Sequence, residues 1–242
     1  MFRLAAITFL LLFLAISLPV GANSSALPQG LTPVITFKVF DQKGKLLYTG
    51  RETIRLTSMK EVEKQTWYYD AQQKLEQKEV VRFNASNLIT SYYLLENLKS
   101  GEKAELNTRA GKVRVAYRAS AGEAMTTENL AWEKDMILGK SLHNLIIQKR
   151  ATLAKGNPLE FSLLVPFKQQ AFDFQVIAVK NTAKLVQYRL EPQSWMVRQF
   201  VEAMDFYYQK APGEKLEYYE GPTTINTSPA EMIKIVFQYP PS

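Results

Sequence analysis

From Val34 onward, hydrophobic and polar residues alternate with a period of two. Ile35, Phe37 and Val39 are set against Thr36 and Lys38. Successive side chains leave a strand on opposite sides, so this rhythm predicts a strand with one buried face. Asp41-Gln42-Lys43-Gly44 supplies a turn, with Gly44 free to take positive φ. The return segment runs from Lys45 to Ser58, where Ile54 and Leu56 face opposite to Arg51, Thr53, Arg55 and Thr57. Further strands are predicted near 63–70, 76–83, 88–95, 103–108, 112–119 and 123–128. Turn signals separate them at Asp70-Ala71-Gln72-Gln73, Asn84 to Asn87, Lys99-Ser100-Gly101, Ala110-Gly111 and Ala121-Gly122. Short strands at intervals of roughly ten residues are the pattern of an antiparallel meander.

One segment breaks the period. Between Gly139 and Lys155, Leu142, Leu145, Ile146 and Leu153 recur at helical spacing, with Lys149 and Arg150 turned outward. Ser141 suits the N-cap, and Gly156-Asn157-Pro158 stops the helix, predicted over 140–155. The strand rhythm resumes at Leu159, Phe161, Leu163 and Val165 and continues through 172–179, 184–190, 195–208, 216–219 and 233–239. The chain thus reads as about eight strands, one helix and about six more strands. The expected fold is all-β: a strongly curved antiparallel sheet or incomplete β-barrel with the helix packed in its concavity. A sheet of this many strands must curl or close to protect its edges. Two packed sheets joined through the helix are the alternative.

The chain start carries an export pattern. Met1-Phe2-Arg3 is a short basic segment, Leu4 to Leu18 is an uncharged and mainly apolar run, and Val20-Gly21-Ala22 offers small or tolerated residues to a signal peptidase. Residues 1–22 are read as a signal peptide cleaved after Ala22, with Ala26 as a second site. The other reading is an uncleaved anchor, but the apolar run falls short of the roughly 20 residues that span a bilayer. Residues 23–33, polar and marked by Pro28, Gly30 and Pro33, read as a flexible leader, and 34–242 as a single antiparallel domain carrying the helix.

Composition then narrows function. With no Cys there is no disulfide, thiolate metal site or Cys nucleophile, and an exported chain without Cys suits a bacterial periplasm. The single His143 excludes sites built on several imidazoles. It lies inside the helix, and no GxSxG elbow accompanies it. Asp173, Asp205, Glu217 and Glu220 are the carboxylates that a hydrolase would use, a minority alternative to a non-enzyme. No catalytic residue, metal or cofactor is assigned. Net charge is +7, but Lys60, Lys64, Lys74, Lys78, Lys99 and Lys103 are interleaved with Glu61, Glu63, Glu76, Glu79, Glu96 and Glu102. That describes a solvated mixed-charge surface, with no nucleic-acid partner and membrane contact that is peripheral at most.

Aromatic residues make up 12% of the chain, and several are neighbours: Trp67-Tyr68-Tyr69, Tyr92-Tyr93, Phe206-Tyr207-Tyr208 and Tyr218-Tyr219. Adjacent strand residues face opposite ways, so these doublets place rings on both faces of the sheet. Core packing accounts for such rings, and so does an aromatic-lined concavity holding an apolar, lipid-like ligand. On the second reading Trp67, Tyr93, Tyr117, Tyr188 and Trp195 line the ligand.

The run Leu153-Ala154-Lys155-Gly156-Asn157-Pro158-Leu159-Glu160-Phe161, then Val165-Pro166-Phe167, Trp195-Met196-Val197-Arg198 and Leu216-Glu217-Tyr218-Tyr219-Glu220-Gly221, resembles a group of exported all-β proteins of Gram-negative bacteria. The likeness covers residues 140–240 and brings no catalytic residues. More loosely, the chain is similar to the periplasmic lipoprotein carriers and their outer-membrane receptor, which are unclosed barrels. It departs from them in lacking a helix before the first hairpin and in its greater length. Two functions follow as expectations: a periplasmic carrier for an apolar ligand, or an envelope protein that works by contacting other proteins.

Overall fold

A computed structural model describes residues 34–199, 201–210, 215–222 and 232–240. The proposed signal peptide and leader lie outside the described residues. Eight strands run first, each pairing antiparallel with the next: β1 (Val34–Phe40), β2 (Leu46–Leu56), β3 (Glu61–Tyr69), β4 (Leu75–Asn84), β5 (Thr90–Asn97), β6 (Lys103–Arg109), β7 (Lys112–Arg118) and β8 (Thr126–Ala131). A short β9 (Met136–Leu138) leads through a 3₁₀ turn, Gly139–Ser141, into the helix α1 (Leu142–Ala154). A second meander follows: β10 (Leu159–Val165), β11 (Gln170–Asn181), β12 (Leu185–Pro192), β13 (Met204–Gln209), β14 (Leu216–Pro222) and β15 (Met232–Gln238). The last strand pairs antiparallel with the first, Phe37 opposite Phe237, so both meanders fuse into one 15-stranded sheet with β8 and β9 at its edges.

The sheet curls without closing. Its two ends are tied by side chains rather than by a ladder. The 3₁₀ turn Pro166–Lys168 rests against β6 and β7, and Phe167 meets Tyr117 with ring centroids 6.4 Å apart. Gln169, in the left-handed region at φ 52°, donates from Nε2 to the Val115 carbonyl at 2.9 Å and accepts from Thr126 Oγ1 at 2.9 Å.

The expected alternation holds on most strands, with Ile35, Phe37 and Val39 buried between exposed Thr36 and Lys38. The aromatic doublets divide between the faces: Tyr68, Tyr208 and Tyr219 are buried inside, while Trp67, Tyr207 and Tyr218 are only half-buried. Gly50 is required by contact, because a Cβ there would lie within the Phe37 ring.

Helix α1 fills the concavity. Leu142, Ile146 and Leu153 are buried as expected, whereas Leu145 is half-buried and His143 takes the fourth buried position. Ser141 occupies the N-cap position, yet its hydroxyl bonds back to the Leu138 carbonyl at 2.8 Å and caps nothing in the helix. The helix ends where Gly156 adopts φ +80° and its N–H reaches the Leu153 carbonyl.

Two strand assignments need correction. Residues 136–138 form β9, which pairs parallel with β10 because α1 provides the crossover that a parallel pair demands. Three residues are too few for a period to show. Residues 195–198 are a short helix, α2 (Trp195–Arg198), and the strand begins only at Met204.

Candidate functional site

The inward face is not uniformly apolar. On β3 the inward positions are Val62, Lys64, Thr66 and Tyr68, all buried. Strand register sets Thr66 opposite Glu52 on β2 and opposite Glu79 on β4. One cross-strand row therefore reads Glu52–Thr66–Glu79, at the spacing where neighbouring side chains interact directly. Lys64 stands two residues along β3 on the same face, and Tyr68 lies opposite Gln77 in the next row. From above, the turn before α1 brings Lys140 down to this row.

Polar contacts knit the group together. Thr66 Oγ1 donates to Glu52 Oε2 at 2.8 Å, and Gln77 Nε2 donates to Glu79 Oε1 at 2.8 Å. The Lys140 ammonium forms an ion pair with Glu79 and approaches the Tyr68 hydroxyl at 3.4 Å. Lys64 Nζ donates to Asn144 Oδ1 of α1 at 2.9 Å and lies 5.3 Å from the Phe83 ring centre. Glu52 Oε1 receives no hydrogen bond among the described residues. Four ionisable side chains thus sit in the core at 4% exposure or less.

Burial disfavours charge on Glu52 and Lys64. Glu52 is pushed up to about 7, mainly by burial and a little by Glu79, against the opposing pull of Lys64 and Lys140. Lys64 is pushed down to about 8 by burial, with Lys140 adding and Glu52 opposing. Burial and the nearby carboxylates hold the Tyr68 hydroxyl well above its ordinary range.

On the opposite wall His143 shares a 2.8 Å hydrogen bond, through Nδ1, with the Tyr208 hydroxyl, and the two rings stack 5.3 Å apart. Burial, with the Lys64 charge, holds the imidazole well below its usual value and keeps it neutral. Near the helix C-terminal half, Ile147, Arg150, Val186, Tyr188, Tyr208, Gln209 and Lys210 line a pocket of about 40 Å³. That is room for one or two waters.

The five aromatics proposed as ligand-lining do not converge. Tyr93 and Tyr188 are buried inward, and Tyr117 reaches Phe167 and donates to Glu102 at 3.0 Å. Trp67 faces outward beneath the Arg51 guanidinium, 5.1 Å from the ring centre, because odd positions of β3 point away from the core. Trp195 is 68% exposed on α2, since its segment is helical and not a strand. The four carboxylates considered for hydrolysis are engaged elsewhere. Asp205 takes both arms of Arg189 at 2.9 Å, Glu220 pairs with Lys234 at 3.1 Å, Asp173 accepts from Ser162, and Glu217 accepts from Gln209.

The buried cluster itself was missed by sequence reasoning, although part of its signal was present. The alternation that places Ile54 opposite to Arg51, Thr53 and Arg55 puts Glu52 on the same side as Ile54. Likewise Lys64 and Thr66 fall in phase with Val62 and Tyr68.

No family model matches the chain, and no curated protein matches it. Among solved structures it is similar to a β-barrel-like protein of a domain of unknown function, DUF1849, from Brucella abortus. The TM-score is 0.51 at 9% identity, over 86% of this chain and 96% of the other. At that identity the likeness concerns the fold alone: mostly strands, with neighbours that are barrel-like. A looser match, with a TM-score of 0.32 at 13% identity over 87% of this chain and 95% of the other, is a candidate lipoprotein from Parabacteroides distasonis. An overlap that loose carries no argument.

Proposed function

We propose that this protein is an exported, non-catalytic component of a bacterial envelope that binds a macromolecular partner through its outer surface. The observation that carries this reading is the occupied interior. Helix α1 stands where a carrier would hold its cargo, with Leu142, Ile146 and Leu153 buried against the sheet. Meanwhile Trp195 and Met196, at 68% and 59% exposure, and Met59, at 96%, present apolar surface to the outside. The export pattern in residues 1–22 supplies the location.

The test is site-specific photo-crosslinking from position 195 in the envelope fraction, alongside native mass spectrometry of the purified chain. The expected result is one saturable protein adduct and a ligand-free mass. A retained lipid at one per chain would overturn the reading in favour of the second, an apolar-ligand carrier. That second reading draws on the polar fastening of α1 to its walls, which an apolar ligand would have to undo.

A further inference from the structure

A helix that merely completed a core would present apolar residues to every wall. Helix α1 does so toward β10 and β11 but is fastened at both flanks by polar groups. Lys64 donates to Asn144 on one side, Lys140 joins Glu79 at its base, and His143 meets Tyr208 on the other side. Gln148 Nε2 donates to the Ala85 carbonyl at 2.7 Å near the far end. Fastenings of this kind can be exchanged for water, whereas lost apolar contacts cannot.

We propose that α1 is a displaceable plug, and that the buried cluster of Glu52, Lys64, Glu79 and Lys140 is the latch that sets how readily it leaves the concavity. The geometry makes the latch two-sided. Glu52, Lys64 and Glu79 belong to the wall, while Lys140 and Asn144 travel with the helix, so displacement opens the cluster to solvent. The groups facing Glu52 are Thr66, Lys64 and Tyr68 from β3, Glu79 from β4, Lys140 from the turn before α1, and Tyr239 after β15. Lys64 faces Glu52, Lys140, Asn144 and His143.

Linkage fixes the direction of the pH response. In the plugged state Glu52 binds its proton more tightly than in water, so plugging weakens as pH rises from the ordinary carboxylate range toward about 7. Lys64 holds its proton less tightly when plugged, so plugging strengthens as pH rises from about 8 toward the ordinary lysine range. His143, held well below its usual value in the plug, works against Glu52 below about 6.5 and makes the acid-side change the smaller. The plug is therefore loosest near neutral pH, with the larger tightening on the alkaline side. A helix that is simply core follows the sheet at every pH, and an ordinary stabilising ion pair gives a maximum there.

The test is hydrogen–deuterium exchange of residues 142–154 at pH 5.5, 7.5 and 9.0, corrected for intrinsic rates, in the wild type and in Glu52→Gln. Glu52→Gln keeps an acceptor for Thr66 and removes the acid. We expect wild-type helix protection to be lowest at pH 7.5, roughly tenfold below pH 9.0 and by a smaller factor below pH 5.5, while β14 and β15 stay better protected than the helix at every pH. In Glu52→Gln the acid-side rise should vanish and the alkaline-side rise persist. A wild-type profile that is flat or peaks at neutral pH would overturn the proposal. So would a helix that exchanges only in step with β14 and β15, or an acid-side rise undiminished in Glu52→Gln. If Glu52→Gln does not fold, the wild-type profile measured against β14 and β15 decides alone.

Discussion

The wall made by β2, β3 and β4 and the wall made by β13, β14 and β15 with β1 flank the same helix, and they are built from opposite materials. The first turns Glu52, Lys64, Thr66, Gln77 and Glu79 inward. The second turns in Phe37, Phe206, Tyr219, Ile235 and Phe237, all buried. There Phe206 and Tyr219 pack with ring centroids 5.1 Å apart, and Phe37 meets Phe237 at 6.0 Å. Even the Tyr219 hydroxyl is satisfied, donating to the Pro222 carbonyl at 2.6 Å. The aromatic wall removes a large apolar area from water at no desolvation cost, and stability rises with that area. The polar wall, with Lys140 from the turn before α1, desolvates four ionisable groups, which costs several kcal/mol per ion before any pairing offsets it. A fold that needed only stability would have two aromatic walls.

Four variants probe the contrast, in falling order of effect. Phe206→Ala, on the aromatic wall, should lower the unfolding free energy by about 3–5 kcal/mol in denaturant titration. Replacing two of the ionisable groups on the polar wall with near-isosteres, Glu52→Gln with Lys64→Met, should do the reverse and raise stability by about 1–4 kcal/mol at neutral pH. A loss of stability there would mean that the ion cluster holds the fold together, and the contrast between walls would fail. Tyr208→Phe leaves His143 Nδ1 without its partner and should cost about 1–2 kcal/mol, seen in the same titration. Arg51→Ala, on the outer face over Trp67 and Tyr69, removes only exposed cation–π contacts and should cost under about 1 kcal/mol.

The difference between the walls also explains what could be read from sequence. The alternation of Ile35, Phe37 and Val39, the single helix and the Gly156 stop were legible because each depends on local periodicity or backbone freedom. The mixed character of β3 and β4 hid their inner face. On β3, Glu63 and Gln65 point outward while Lys64 and Thr66 point inward, so neither phase of the alternation is apolar. Glu63, buried on the outer side, is held by Arg55 at 2.7 Å and Arg82 at 2.6 Å. A strand polar on both faces looks solvated until its neighbours are known. Only the register that aligns Glu52, Thr66 and Glu79, and the crossover that lowers Lys140 onto them, reveals the cluster. Trp195 failed for a different reason. The strand rhythm was carried through 195–208, whereas Trp195–Arg198 closes one turn of helix with the Arg198 N–H reaching the Ser194 carbonyl.

On this reading the polar wall is kept at the expense of stability. Wild-type unfolding in denaturant at pH 5.5, 7.5 and 9.0, compared with the Glu52→Gln, Lys64→Met double variant, tests it most directly. Glu52 is raised and Lys64 lowered in the folded chain, so wild-type stability should fall from pH 5.5 to 7.5 and recover by pH 9.0. Glu102, also raised by burial, adds to the acid-side fall, while His143, held well below its usual value, opposes it and leaves the recovery toward pH 9.0 the larger step. The wild type should show a minimum at pH 7.5 that becomes shallower in the double variant, with the variant the more stable of the two at that pH. A wild-type maximum at pH 7.5, lost together with stability in the variant, would contradict it.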